Sequence, residues 1–155
     1  MKNTKRNFFK LLGLSFISIV LLPYKSLYSV TKKIINQNLT KEQKDIMFNE
    51  ATERPNSSYL NYEKRKGFFH CANCDAKLFA STSKFDSGTG WPSFTESLPG
   101  AFKTKIDYSF GIKRTEYHCA KCGVHHGHVF DDGPGSSGKR FCNNGLCLIF
   151  KPDSD

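Results

Sequence analysis

No apolar run of this chain reaches the length usual for a permanent membrane anchor. The uncharged apolar run "LLGLSFISIVLL" covers residues 11–22, whereas a transmembrane helix needs about 18 or more such residues. Acids are missing from residues 1–29, which carry Lys2, Lys5, Arg6, Lys10 and Lys25. Removing those five charges from the net +9 leaves +4 on the remainder. That is a mildly basic surface with no basic stripe, so the composition gives no footing for nucleic-acid binding. Internal repeats and low-complexity tracts are absent, which excludes solenoids and propellers. There is no H-x-E motif either, and a zinc hydrolase or deaminase would need such a glutamate beside an open metal position.

The N-terminus is a basic cluster followed by a short apolar run and Pro23. This is the pattern of an export signal over residues 1–29, removed or retained as a signal anchor; a buried core helix is the alternative. "TKRNFFK" resembles a twin-arginine signal with Lys5 in place of the first arginine, so that route and the general secretory route both fit. The expected location is outside the cytoplasm, in the periplasm, with membrane contact only through this segment if it is uncleaved.

Residues 30–38 are polar and basic and read as a linker before a domain over 39–152. Thr40 with Gln43 three positions later forms a capping box, which predicts a short helix at about 40–50. From Gly67 onward the segments are short, aromatic and rich in β-formers, separated by clusters such as "SGTGWPS" and "DDGPGSSGK". That rhythm predicts a mostly antiparallel all-β domain. Fourteen phenylalanines, six tyrosines and one tryptophan supply its core.

Six cysteines remain to be explained. Cys71-x-x-Cys74 and Cys119-x-x-Cys122 fit the two halves of a four-thiolate zinc site, one zinc per chain. The 44 residues between the pairs mean that such a site clamps two separate hairpins. Since thiolates fill all four positions, the site is structural. A disulfide framework and a reactive redox pair are the other readings of the same pattern. His70 and His118, each just before a pair, read as local hydrogen-bonding residues.

Four features stand together: "KFDSGTGWPSF", "CGVHHGHVFDDGP", "GKRFCNN" and the paired CxxC, with "TERP" near Thr52 upstream. Together they resemble the B-type methionine sulfoxide reductases, over roughly residues 40–150. The resemblance implies two antiparallel sheets, a structural zinc in many members, and reduction of methionine-R-sulfoxide, free or in oxidised proteins, as a repair of oxidative damage. It implies a nucleophile at Cys142, substrate and acid roles at Trp91, His125, His128, Asp132, Arg140 and Asn144, and a thioredoxin-like or other thiol reductant as partner. In many members a resolving cysteine stands two residues before the tryptophan; here that position is Thr89.

The residue types suit that chemistry. Arg140, Cys142 and Asn144 alternate, so on a strand they share one face, where the guanidinium favours a thiolate and Asn144 can donate to it. His125 and His128 can deliver a proton to the sulfoxide oxygen if both aim at one pocket, and Trp91 offers a flat wall for the S-methyl group. Each residue also has a plainer reading: Cys142 as a buried thiol, Trp91 as core, Asp131 and Asp132 as turn formers, His126 pointing away. Cys147 is either a packed thiol or a resolving thiol reached by local opening, because five residues of strand span about 16 Å and a disulfide needs Cα atoms within about 7 Å. A zinc-ribbon binding module is the competing function, and it leaves "GWPSF", "HHGH" and "RFCNN" without a purpose.

Overall fold

The computed structural model describes residues 31–109 and 111–154; residues 1–29, whose sequence reads as an export signal, lie outside them. The capping box forms as its sequence predicts. The Thr40 hydroxyl accepts from the Gln43 N–H, the Gln43 side chain accepts from the Thr40 N–H, and helix α1 runs Lys41–Asn49. It ends at Glu50 in a left-handed conformation, φ 62°. Residues 31–38 are irregular but tied down. The Asn73 side chain accepts from the N–H groups of Ile35 and Asn36 and donates to the Lys33 carbonyl. No helix among the described residues is long and apolar enough to cross a membrane.

Nine short strands lie beyond the helix: β1 Gly67–Cys71, β2 Lys77–Ala80, β3 Lys84–Phe85, β4 Ser93–Phe94, β5 Phe102–Asp107, β6 Arg114–Cys119, β7 His125–Phe130, β8 Arg140–Asn143 and β9 Leu148–Pro152. They form two antiparallel sheets, one ordered β2-β1-β9 and the other β3-β4-β8-β7-β6-β5. Aromatic rings hold the sheets together. Phe79 on β2 stacks on Phe94 of β4 at 3.9 Å, and Phe69 of β1 meets Phe94 edge-on at 4.9 Å. All three are fully buried, and each contributes about 2 kcal/mol from area alone.

Two irregularities in the six-stranded sheet shape the histidine environment. Tyr117 pairs with Gly127 but His118 pairs with His125, so His126 is an extra residue, a β-bulge in β7. Ordinary strand parity would send residues three apart to opposite faces. The bulge instead brings the His125 and His128 rings to 5.6 Å and turns the fully buried His126 onto Phe102, at 5.4 Å. Next to the bulge, a Cβ on Gly127 would lie 2.0 Å from the carbonyl oxygen of Cys142. Only glycine allows β7 to run this close to β8.

Candidate active site and four-thiol cluster

Cys142 lies on β8 between Ser93 of β4 and His128 of β7. It lines a pocket of about 140 Å³ with Trp91, His128, Phe130, Arg114 and Thr52. Burial pushes its thiol above the ordinary value, against the charge of Arg140 and hydrogen bonds from Thr89 and Arg140. Arg140 therefore acts in the expected direction, but desolvation wins and the resting group is a thiol.

Arg140 is held firmly. Its Nε and one terminal nitrogen donate to the two carboxylate oxygens of Asp132, both at 2.8 Å, and its guanidinium lies 4.4 Å over the Phe130 ring. Asp132 is thus a partner of Arg140 rather than only a turn former, whereas the exposed Asp131 pairs with Lys139.

The two histidines have different environments. His128 Nε2 lies 2.8 Å from Asp107 Oδ2. Burial lowers the His128 pKa, with the bond to Asp107 opposing, so the ring is neutral near pH 7. The Asp107 carboxyl is held well below the usual range by the Ser109 N–H, helped by the Ser109 hydroxyl, His128 and Arg114, against burial. His125 is fully buried and is not among the residues lining the pocket, contrary to the expectation that both rings aim into it. Its Nδ1 meets Glu116 at 2.9 Å and its Nε2 lies 3.5 Å from the Asn144 amide nitrogen. Burial would raise the Glu116 carboxyl, but His125 and Lys105 hold it below its ordinary value.

Asn144 lines the pocket beside Cys142, but its side chain is bonded to backbone rather than to the sulfur. Strand β8 ends at Asn143, and the Asn144 side chain accepts from the Glu53 N–H at 3.0 Å and donates to the His126 carbonyl at 3.1 Å. The neutral side chain that acts on Cys142 is Thr89, itself 2.8 Å from Ser87, which in turn lies 2.7 Å from Ser93. Trp91 closes the pocket, its indole N–H donating to the Glu53 carbonyl at 3.1 Å.

Cys147 is fully buried in the turn Gly145–Cys147, with its thiol donating to the His125 carbonyl at 3.4 Å. Burial raises its pKa far above the ordinary value. Of the two arrangements that spacing allows, this is the packed one.

Sequence motifs do not assign roles to Thr52, Glu53, Asp107, Arg114 and Glu116. Thr52 and Glu53 at least lie in "TERP", which is a signal of a kind. Asp107, Arg114 and Glu116 belong to no motif along β5 and β6, and only the sheet register places them beside the histidines.

The paired cysteines converge at a second place in the fold, and their two CxxC turns are built alike. In each, the first cysteine's N–H donates five residues ahead, Cys71 to Ala76 and Cys119 to Val124, both at 2.9 Å, and its carbonyl accepts from Asp75 or Gly123. Asp75 and Gly123 have positive φ, 59° and 74°, which turns the chain back so that both thiols point inward. Cys71 and Cys122 sulfurs are 3.8 Å apart, Cys74 and Cys119 sulfurs 3.6 Å, and all four lie within 4.8 Å of one another. A tetrahedral zinc with bonds of about 2.3 Å requires sulfurs about 3.8 Å apart, so the buried cluster fits one metal ion. It joins β1 of one sheet to β6 of the other. His70 beside it contacts the Asp75 carbonyl at 3.0 Å.

Comparison with known proteins agrees with this geometry. The SelR domain family matches residues 39–152. A peptide methionine sulfoxide reductase MsrB of Methanosarcina barkeri is 46% identical over 118 residues, covering 76% of this chain and 83% of that protein. The MsrB of Pseudomonas entomophila is 52% identical over 103 residues, 66% of this chain and 79% of that one. That of Agrobacterium fabrum is 46% identical over 117 residues, 75% of this chain and 87% of that one. On these matches the chain belongs to the SelR-domain family of B-type methionine-R-sulfoxide reductases.

Proposed function

We propose that Cys142 carries the reaction of the family, reduction of methionine-R-sulfoxide to methionine. The observation that carries this reading is a thiol and a neutral imidazole, Cys142 and His128, lining one pocket walled by the only tryptophan. The S-methyl group packs on Trp91 and the sulfoxide sulfur faces Cys142. The raised thiol and the lowered histidine suit each other. As the Cys142 sulfur attacks, its proton passes to His128, whose imidazolium is stabilised by Asp107, and then to the sulfoxide oxygen. Arg140 and Thr89 stabilise the charge that develops on the attacking sulfur. The sum balances: the sulfoxide loses its oxygen and gains two electrons, and Cys142 becomes a sulfenic acid bearing that oxygen and the original proton.

Two thiols of an external reductant then return Cys142 to the thiol, releasing water and forming their own disulfide. Thr89 stands where a resolving cysteine would be, and Cys147 is sealed beneath the sheet, so the sulfenic acid persists until the reductant arrives. Glu116 and His125 pack behind the pocket, while Asn144 lines it beside Cys142 and ties the Glu53 and His126 backbone together there. The substrate is methionine sulfoxide, free or in oxidised proteins. The cluster of Cys71, Cys74, Cys119 and Cys122 holds one structural zinc, which takes no part in the reaction. Residues 1–29 direct export to the periplasm, tested by cell fractionation and N-terminal sequencing of the mature protein.

The test is a single turnover without reductant. One methionine is released per chain, and dimedone then labels Cys142. A larger burst, or label on another cysteine, rules the mechanism out.

A further inference from the structure

Glu53 is a buried carboxylate in a segment with no secondary structure of its own, and every polar group it owns is spent on the active site. Its carboxylate accepts from the N–H of Gly145 at 2.6 Å and of Leu146 at 2.9 Å, in the turn just past Cys142. Its N–H donates to Asn144, and its carbonyl accepts from the Trp91 indole. The contacts around it are equally close. A Cβ on Gly145 would lie 2.0 Å from the Ser58 hydroxyl, and one on Gly90 would lie 2.9 Å from Pro55. The Asn56 N–H donates to the Gly90 carbonyl at 2.7 Å. The segment from Glu53 to Ser58 therefore clasps two loops, one carrying the pocket wall and one leaving the nucleophile.

We propose that Glu53 is a positioning residue for the reaction: its carboxylate anchors the turn after Cys142 while its backbone carbonyl aims the Trp91 indole across the same pocket. The inference rests on the reading of Cys142 as nucleophile and Trp91 as wall. The physical reason is twofold. A buried indole N–H needs an acceptor, and the acceptor fixes the ring's rotation. A buried carboxylate stays only where donors converge on it, and these two donors belong to the backbone just past the reacting thiol. With both ends held by one residue, the gap between ring and sulfur is tied to a short covalent path. Without the carboxylate, the Gly145 and Leu146 N–H groups lose their acceptor, the turn relaxes, and the Glu53 carbonyl moves with it.

Because Trp91 is the only tryptophan, its fluorescence reports this linkage without interference. The experiment compares wild type, Glu53→Ala and Glu53→Gln in the full chain. It measures acrylamide quenching of Trp91, alkylation of Cys142 by iodoacetamide, and kcat and KM on methionine-R-sulfoxide with dithiothreitol. In Glu53→Ala, quenching rises about twofold and kcat/KM falls at least about tenfold, since a displacement of an ångström at a reacting centre has effects of this order, while Cys142 alkylation stays within about twofold. Glu53→Gln keeps one acceptor oxygen and the side chain's shape, so it shifts the same way by less, and it carries the test if Glu53→Ala does not fold. A folded variant with lowered kcat/KM and unchanged quenching overturns the linkage, as does one with both unchanged. Raised quenching with unchanged kcat/KM also overturns the inference, and places the error in the role given to Trp91.

Discussion

The Thr89 side chain favours the thiolate of Cys142 against the penalty of burial. A side chain close enough to act on the reacting sulfur, at the position of the resolving cysteine in many relatives, puts a new thiol within reach of it. Thr89→Cys is therefore expected to form an intramolecular disulfide with Cys142 after one equivalent of substrate. Wild type gives a dimedone adduct on Cys142 instead. Cys147→Ser retains nearly full turnover with dithiothreitol and loses some stability, because a hydroxyl replaces a thiol in a sealed site. Peptide mapping by mass spectrometry decides the first outcome and steady-state assay the second; a Cys142–Cys147 linkage in the wild type would refute the packed role of Cys147.

Arg140 is the charge that lowers the Cys142 pKa against burial. Replacing it by Met removes that charge, so the pH midpoint of Cys142 alkylation moves upward. An opposite charge at this range is worth about 1–3 units, and a rise of about one unit or more is expected. Alkylation of wild type and Arg140→Met across pH measures it; an unchanged midpoint means the guanidinium does not act on the sulfur.

The four-thiol cluster joins the two sheets, so a metal held there would contribute directly to folding. Structural zinc binding is worth about 10 kcal/mol or more in small domains, which exceeds the total stability of many of them. Cys119→Ser is expected to lose zinc and folded structure together. Metal analysis and circular dichroism check this; a folded, zinc-free variant contradicts it.

Legibility from sequence varied with the kind of signal. The capping box at Thr40 and the two CxxC turns are local patterns, and each takes its expected form in the structure; of the site residues, Trp91, His128, Cys142 and Asn144 come to one pocket. Strand parity would put Arg140, Cys142 and Asn144 on one face. Cys142 and Asn144 do line one pocket, but β8 stops one residue before Asn144 and its side chain bonds the Glu53 N–H instead of the sulfur. The histidine pair departs from expectation for a similar reason. No residue marks the bulge at His126, and the fate of His125 depends on Glu116, nine positions away and brought close only by the register of β6 and β7. Contacts made by sheet register leave little trace in a linear pattern.

His126 gives a pH prediction. Burial, with the neighbouring His125 adding, holds its pKa at about 3 against an ordinary 6.5, and both ring nitrogens are buried without a hydrogen-bond partner. The unfolded chain takes up this proton below pH 6.5 and the folded chain only near pH 3. The associated stability is therefore complete above pH 6.5 and is lost as pH falls toward 3. The full loss is on the order of 5 kcal/mol. His126→Leu should stabilise the protein at pH 5 and reduce the slope of stability against pH by about one proton. Urea unfolding from pH 7 to pH 4 measures both slopes; parallel curves would show that His126 does not titrate on unfolding.

The central claim is that Cys142, in the pocket of Trp91 and His128, reduces the R epimer. The direct measurement is turnover of the separated R and S epimers of methionine sulfoxide with dithiothreitol, by wild type and Cys142→Ser. The expected result is methionine from the R epimer, little or none from the S epimer, and no activity in Cys142→Ser. Equal rates on the two epimers, or turnover that survives Cys142→Ser, would contradict it.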